Sequence, residues 1–222
     1  MKNINLSIII TSYKRVQKIR RIISELIDQI PKKYNSEIII SGNDNNYIEK
    51  NLSKFATSNI KIRFIRNKKN SNALKRNTGI KNAKGKNIIL IDDDCLPKKN
   101  FVYNYLNLFK TITNQDIICD SVFYEKKFLK KNFVRYRQSR HFIINKKNFK
   151  INRLLKPSKI VTMNMGFKNS KKISKTSYFN EKFGNYGFED YEFGFRLIKL
   201  GFRLLPAYPS IIHLDERSFE YY

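Results

Sequence analysis

The stretch that most constrains the fold is Asn87-Ile88-Ile89-Leu90-Ile91-Asp92-Asp93-Asp94-Cys95-Leu96-Pro97. Four consecutive large aliphatics read as a strand buried on both faces. The run ends in three carboxylates, and Pro97 prevents the strand from continuing. Adjacent acids repel one another, so crowding them without a cation is costly. Ligands of an open α/β sheet collect at the carboxyl ends of its strands. A divalent cation such as Mg²⁺ or Mn²⁺, carrying a phosphorylated substrate, would resolve the repulsion. So would simple solvation of an acidic turn. Alternation along a strand predicts Asp92 and Asp94 on one side and Asp93 on the other.

The residues before this strand supply its neighbours. Ile4 to Thr11 reads as a first buried strand, and Thr11-Ser12 offers an N-cap. Val16, Ile19, Ile22, Ile23, Leu26, Ile27 and Ile30 then recur at helical spacing, ending before Pro31. Glu37 to Ile40 is a second strand, followed by the polar loop Ser41-Gly42-Asn43-Asp44-Asn45-Asn46. Ile60 to Ile65 alternates as a half-exposed third strand, and Ser71 to Ala83 reads as a helix ending at Gly85. This alternation predicts an α/β fold with a mostly parallel sheet and helices on both faces. Neither a dinucleotide G-x-G-x-x-G turn nor a P-loop is present.

Beyond Pro97 the pattern is less regular. Asn100 to Phe109 predicts a helix, Asp116 to Phe123 a strand, and Ile160 to Phe167 another. Between them, Lys126 to Lys159 interleaves basic and aromatic residues, including Tyr136, Arg137, Arg140, His141, Phe142 and Phe149. Such a mixture fits a single-stranded nucleic-acid platform, or an insertion that packs its rings on the core with cations outside. The net charge of +27 bears on the same question. It fits an anionic partner (nucleic acid, an anionic membrane or phosphorylated substrates), and equally a solvated surface set by AT-rich coding. Two cysteines, Cys95 and Cys119, make neither a disulfide framework nor a zinc pattern. No signal peptide or membrane-spanning run is evident, so a single cytoplasmic domain over 1–222 is expected.

A second acidic cluster opens a helix at Gly184-Asn185-Tyr186-Gly187-Phe188-Glu189-Asp190-Tyr191-Glu192. Acids at a helix start complement the dipole. The chain has only 18 acidic residues, however, and three of these lie within four positions beside two glycines. Gly187 permits close backbone approach. A carboxylate at a helix N-terminus is expected to stay ionised and suits a general base. His213 follows the strand-like Pro209-Ser210-Ile211-Ile212, placed either as a structural group or as a further ligand beside Asp94, with Asp215 and Glu216 able to orient it.

Taken together these motifs resemble a GT-A glycosyltransferase of family 2. The resemblance runs through Ile8 to Arg15, then Ala73-Leu74-Lys75-Arg76-Asn77-Thr78-Gly79 and the D-x-D-like Asp92-Asp93-Asp94. It continues through Asn164-Met165-Gly166-Phe167 and Phe179-Asn180-Glu181-Lys182-Phe183. It ends in Gly187 to Arg196, similar to the G-x-E-D-x-E-x-G-x-R of chondroitin-polymerase-like and galactosyltransferase-like members. The resemblance implies a metal-dependent inverting transferase using Mn²⁺ or Mg²⁺ and a nucleotide-sugar donor, UDP-hexose or UDP-N-acetylhexosamine. Its acceptor would be a glycan or lipid-linked hydroxyl, in bacterial surface polysaccharide synthesis at the inner face of the cytoplasmic membrane. No specific nucleic acid is expected; a sugar nucleotidyltransferase and a basic nucleic-acid module are the alternatives.

The implied roles are Asp94, His213 and Asp92 for metal, and Asp190 with Glu189 for catalysis. Thr11, Tyr13, Arg15, Asp44, Arg76, Asp92 and Asp93 would face the nucleotide, and Asn164, Gly187 and Glu192 the sugars. Residues 1–97 would form the donor half and 98–222 the acceptor half. One departure stands out: Gly42 occupies the position where the family carries a base-reading Asp, leaving Asp44 as the substitute.

Overall fold

The computed structural model describes residues 3–43, 46–141, 154–183, 187–208 and 210–214. The first half alternates β1 (Leu6–Ser12), α1 (Val16–Gln29), β2 (Ser36–Gly42), α2 (Asn46–Leu52), β3 (Ile60–Arg66), α3 (Asn72–Asn82) and β4 (Asn87–Asp92). There follow β5 (Cys95–Pro97), α4 (Phe101–Thr111), β6 (Asp116–Cys119), β7 (Val122–Tyr124) and α5 (Asn132–His141). After these come β8 (Asn164–Lys168), α6 (Lys171–Ser174), α7 (Glu189–Lys199), β9 (Arg203–Pro206) and β10 (Ile211–His213).

Among the described residues, seven strands form the main sheet in the order β3-β2-β1-β4-β8-β6-β9. All run parallel except β8, which is antiparallel to both its neighbours. The continuous aliphatic runs are explained by parity. Ile8, Ile10, Ile38, Ile40, Ile89 and Ile91 pack under α1 and α4, whereas Ile9, Ile39, Ile88 and Leu90 pack under α3 and α7. Both faces are covered, so no position along these strands can be polar without a partner.

Several expectations are corrected. Thr11 and Ser12 belong to β1 rather than capping a helix; α1 begins after Arg15 without a side-chain cap. The predicted strand over Asp116 to Phe123 is two strands in two sheets, β6 and β7, broken at Asp120-Ser121. Strand structure in the 160–167 stretch begins only at Asn164, after a turn. Pro97 ends β5, not β4. The main strand stops at Asp92, and β5 joins β10 and β7 in a small second sheet. Asp92 is therefore the last residue with strand alternation, and Asp93 and Asp94 turn together to the same arginine. No described helix is long and apolar enough to cross a membrane.

Candidate active site

The carboxyl ends of β1 and β4 lie side by side, with Thr11 paired to Asp92 in register. The Thr11 hydroxyl donates to Asp92 Oδ1 at 2.7 Å. Beyond them the chain after β1 folds over the acids. The Tyr13 N–H donates to Asp93 Oδ2 at 2.7 Å, and Arg15 Nη1 donates to Asp93 Oδ1 at 2.8 Å and also to Asp94 Oδ2. Burial pushes the Asp93 carboxyl up to about 7, with Asp94 and Asp92 adding to the rise and Arg15 opposing it. These groups line a cleft of about 220 Å³ together with Asn70, Lys75, Met163, Arg137 and His213. Lys75 is almost fully buried; its ammonium lies 2.5 Å from Asn70 Oδ1 and 5.2 Å from the centre of the Tyr13 ring.

The small sheet delivers His213. It pairs with Cys95 across β10–β5 and with Tyr124 across β10–β7, so the three side chains stand in a row on one face. The Tyr124 ring stacks on the imidazole at 4.9 Å. The Leu214 N–H donates to the Asp94 carbonyl at 2.7 Å, tying the end of β10 to the acidic turn. His213 Nε2 lies 3.6 Å from Asp94 Oδ1 and 3.5 Å from Arg137 Nη2. Ligand atoms of Asp94, Cys95 and His213 all fall within 4.8 Å of one another. A carboxylate oxygen and an imidazole nitrogen at this spacing fit a divalent cation such as Mn²⁺ better than Mg²⁺, which prefers oxygen ligands alone. Burial and the neighbouring aspartates push the Cys95 thiol up, so it stands there protonated. Asp92 is not part of this cluster.

The second acidic cluster meets the first through Arg76. From α3 its guanidinium donates to Glu189 Oε1 at 2.9 Å and Asp190 Oδ1 at 3.1 Å, with Asp92 Oδ1 at 3.5 Å. Phe179 lies beneath it, 5.4 Å to the ring centre. Burial alone would favour loss of its proton, but Asp190, Asp92 and Glu189 outweigh that and hold it charged. The Thr162 hydroxyl donates to the other Asp190 oxygen at 2.7 Å. The helix start does not keep Asp190 at an ordinary value. Burial, with Glu189 and Asp92, pushes its carboxyl up to about 6 against the pull of Arg76 and Thr162.

The remaining positions named from sequence divide clearly. Glu192 is clasped by Arg196 at 2.6 and 2.9 Å, and that guanidinium also donates to the carbonyls of Thr176 and Tyr178. The Ser177-Tyr178 turn it holds has two successive left-handed residues, φ 58° and 54°. Asn164 is fully buried, accepting from the Tyr105 hydroxyl at 2.8 Å and donating to the Ser121 carbonyl at 3.2 Å. Gly187 suits its φ of 93°, which side chains rarely adopt, and not a close approach, since a Cβ there would meet no atom of the described residues within 4 Å. The close approach belongs to Gly194, where a Cβ would sit 2.9 Å from the Pro157 carbonyl oxygen. Asp44, Asp215 and Glu216 lie outside the described residues. Sequence reading missed Lys75, Arg137, Thr162 and Cys95 as members of the site. Only the Lys75-Arg76 adjacency and the basic character of α5 hinted at any of them.

The family model for glycosyl transferase family 2 matches residues 7–174. No curated protein sequence matches the chain significantly. Similar solved structures include GalNAc-T7 with UDP, GalNAc and Mn²⁺, at a TM-score of 0.70 and 13% identity. That alignment covers 96% of this chain and 44% of the other. S. aureus TarS 1-349 in complex with UDP is similar at a TM-score of 0.64 and 14% identity, covering 96% and 58% respectively. At such identities the likeness establishes the GT-A fold. The chain thus spans about half the length of these similar structures.

Proposed function

Because the chain belongs to glycosyl transferase family 2, we propose that it is a metal-dependent, inverting glycosyltransferase. The donor is a nucleotide sugar, UDP-hexose or UDP-N-acetylhexosamine, and the acceptor a hydroxyl of a glycan or lipid-linked intermediate in bacterial surface polysaccharide synthesis. The observation that carries this reading is the meeting, beyond the carboxyl ends of β1 and β4, of a candidate cation site (Asp94, His213) and a separate carboxylate pair (Glu189, Asp190) that Arg76 links to Asp92. The UDP held by both similar structures favours the choice of nucleotide.

In this reading a single domain has its donor side in residues 1–97 and its acceptor side in 98–222. Thr11, Tyr13 and Arg15 face the nucleotide, and Asp92 faces ribose. The bond between the anomeric carbon and the diphosphate oxygen breaks as the acceptor oxygen bonds to the opposite face. Asp190 takes the acceptor proton. Lys75, Arg15 and Arg137 face the charge that develops on the departing diphosphate. A cation held by Asp94 and His213 would neutralise part of that same charge when bound. Glu189 holds a sugar hydroxyl, with Arg76 fixing its orientation.

Thermal unfolding against UDP, GDP, CDP and dTDP, each with and without Mn²⁺, tests the donor site. A ligand that binds only the folded state raises the melting point by mass action. The expected result is a shift for UDP that needs Mn²⁺ and vanishes in Asp94→Asn. Folded protein that shifts with no nucleotide would overturn the reading.

A further inference from the structure

The buried side of α7 consists of Glu189, Phe193, Gly194 and Leu197. The opposite side faces outward, where a solvated helix ordinarily carries charge. Here it carries Phe188 (73% exposed), Tyr191, Phe195 (53%) and Ile198 (38%). These recur at intervals of three and four, so they form one apolar stripe along the helix that begins with the catalytic pair. The rings of Phe188 and Tyr191 are 6.2 Å apart. Cations flank the stripe. The Arg140 guanidinium of α5 lies 5.5 Å from the centre of the Tyr191 ring, and exposed Lys199 ends the row. Behind it stands a molecule of net charge +27.

We propose that this face of α7 lies on an anionic lipid bilayer, with Phe188, Tyr191, Phe195 and Ile198 entering the headgroup boundary. A helix with aromatic and aliphatic residues on one side and cations at its edges suits that interface. Charge decides between occupants: a second copy of a +27 chain is repelled, whereas anionic headgroups attract it. The placement rests on the proposed function for its purpose, since it would set Asp190 beside a membrane surface where a lipid-linked acceptor is presented. The binding itself requires no catalysis.

The chain contains no tryptophan, so a single one introduced into the stripe reports without background. Phe195→Trp should shift its emission to the blue with phosphatidylglycerol-containing vesicles, and brominated lipid should quench it. Tyr103→Trp, an exposed site on α4 across the sheet, should do neither. Phe195→Ser with Ile198→Ser should weaken vesicle partitioning by roughly ten- to a hundredfold, because buried apolar side chains are lost from the contact. The UDP and Mn²⁺ melting shift should persist in that variant. An unmoved indole emission from Phe195→Trp, with sedimentation abolished by salt, would mean charge alone and overturn the proposal. A blue shift that grows with protein concentration in the absence of lipid, with a dimer in sedimentation equilibrium, would also overturn it by assigning the stripe to a second copy. Vesicle insertion without any nucleotide shift would count against the transferase reading alone.

Discussion

The two acidic clusters of the site are neutralised in opposite ways. At the end of β4 the acids are buried and their arginine is not: Asp93 and Asp94 side chains are 6% and 4% exposed, Arg15 24%. At the start of α7 the arginine is buried and its acids are less so: Arg76 is 3% exposed, Glu189 11% and Asp190 26%. A partly solvated arginine on a loop can leave its carboxylates when a stronger cation arrives. A buried guanidinium under three carboxylates cannot leave, but it lets those acids reach outward to a ligand. On the proposed reading, the difference separates a place where charge would be exchanged from a place where charge would be held and aimed.

The largest effect should come from removing the aimed charge. Asp190→Asn should retain the Mn²⁺-dependent nucleotide shift and lose transfer by roughly 10²- to 10⁴-fold, the usual range for a general base. In the unmodified enzyme the rate should fall as pH drops through about 6, because protonating the raised Asp190 carboxyl removes the base. A kcat profile flat through that pH, or near-normal turnover by the variant, would remove Asp190 from the role.

Breaking the held charge should cost stability as well. Arg76→Met leaves Glu189 and Asp190 without their shared partner, and breaking a buried ion pair typically costs about 3–5 kcal/mol. Chemical denaturation reads this directly. If the variant folds, losing the positive neighbour should drive the Asp190 carboxyl higher, moving the acid limb of the rate profile above about pH 6. Arg76→Lys keeps the charge but cannot span three carboxylates, so it should fall between. A stability loss with an unmoved limb would make Arg76 structural only.

Both clusters were visible in the sequence, but their difference was not. The sheet was legible because β1, β2 and β4 carry long aliphatic runs between two helical layers, a signal that survives without knowledge of partners. What joins the site is non-local. His213, Cys95 and Tyr124 meet through strands of three residues, too short to show a period. Asp92, Asp93 and Asp94 diverge from strand alternation because β4 ends at the first of them. The resemblance assigned Arg76 to the nucleotide, whereas its guanidinium contacts carboxylates from β4 and α7, and Arg76 is not among the residues lining the cleft. Arg137 came from a stretch read only as basic and aromatic, and nothing in its neighbours marked it as the residue beside His213.

The smallest effect is the most discriminating. If Arg15 is an exchangeable counter-ion, Arg15→Gln should bind Mn²⁺ more tightly when no nucleotide is present, since the guanidinium no longer competes for Asp94. The gain should be a few-fold, and the melting point should fall by less than in Arg76→Met, because Arg15 is itself partly solvated although the acids it leaves are buried. Paramagnetic resonance of free Mn²⁺ measures the first and calorimetry the second. Weaker Mn²⁺ binding would mean that Arg15 orders the two acids rather than guarding them. A large drop in melting point would put Arg15 in the same class as Arg76, and the contrast between the two clusters would collapse. Tighter metal binding with weaker UDP binding would complete the exchange: the arginine that gives up Asp94 would then be needed at the diphosphate, one of the cations that line the cleft.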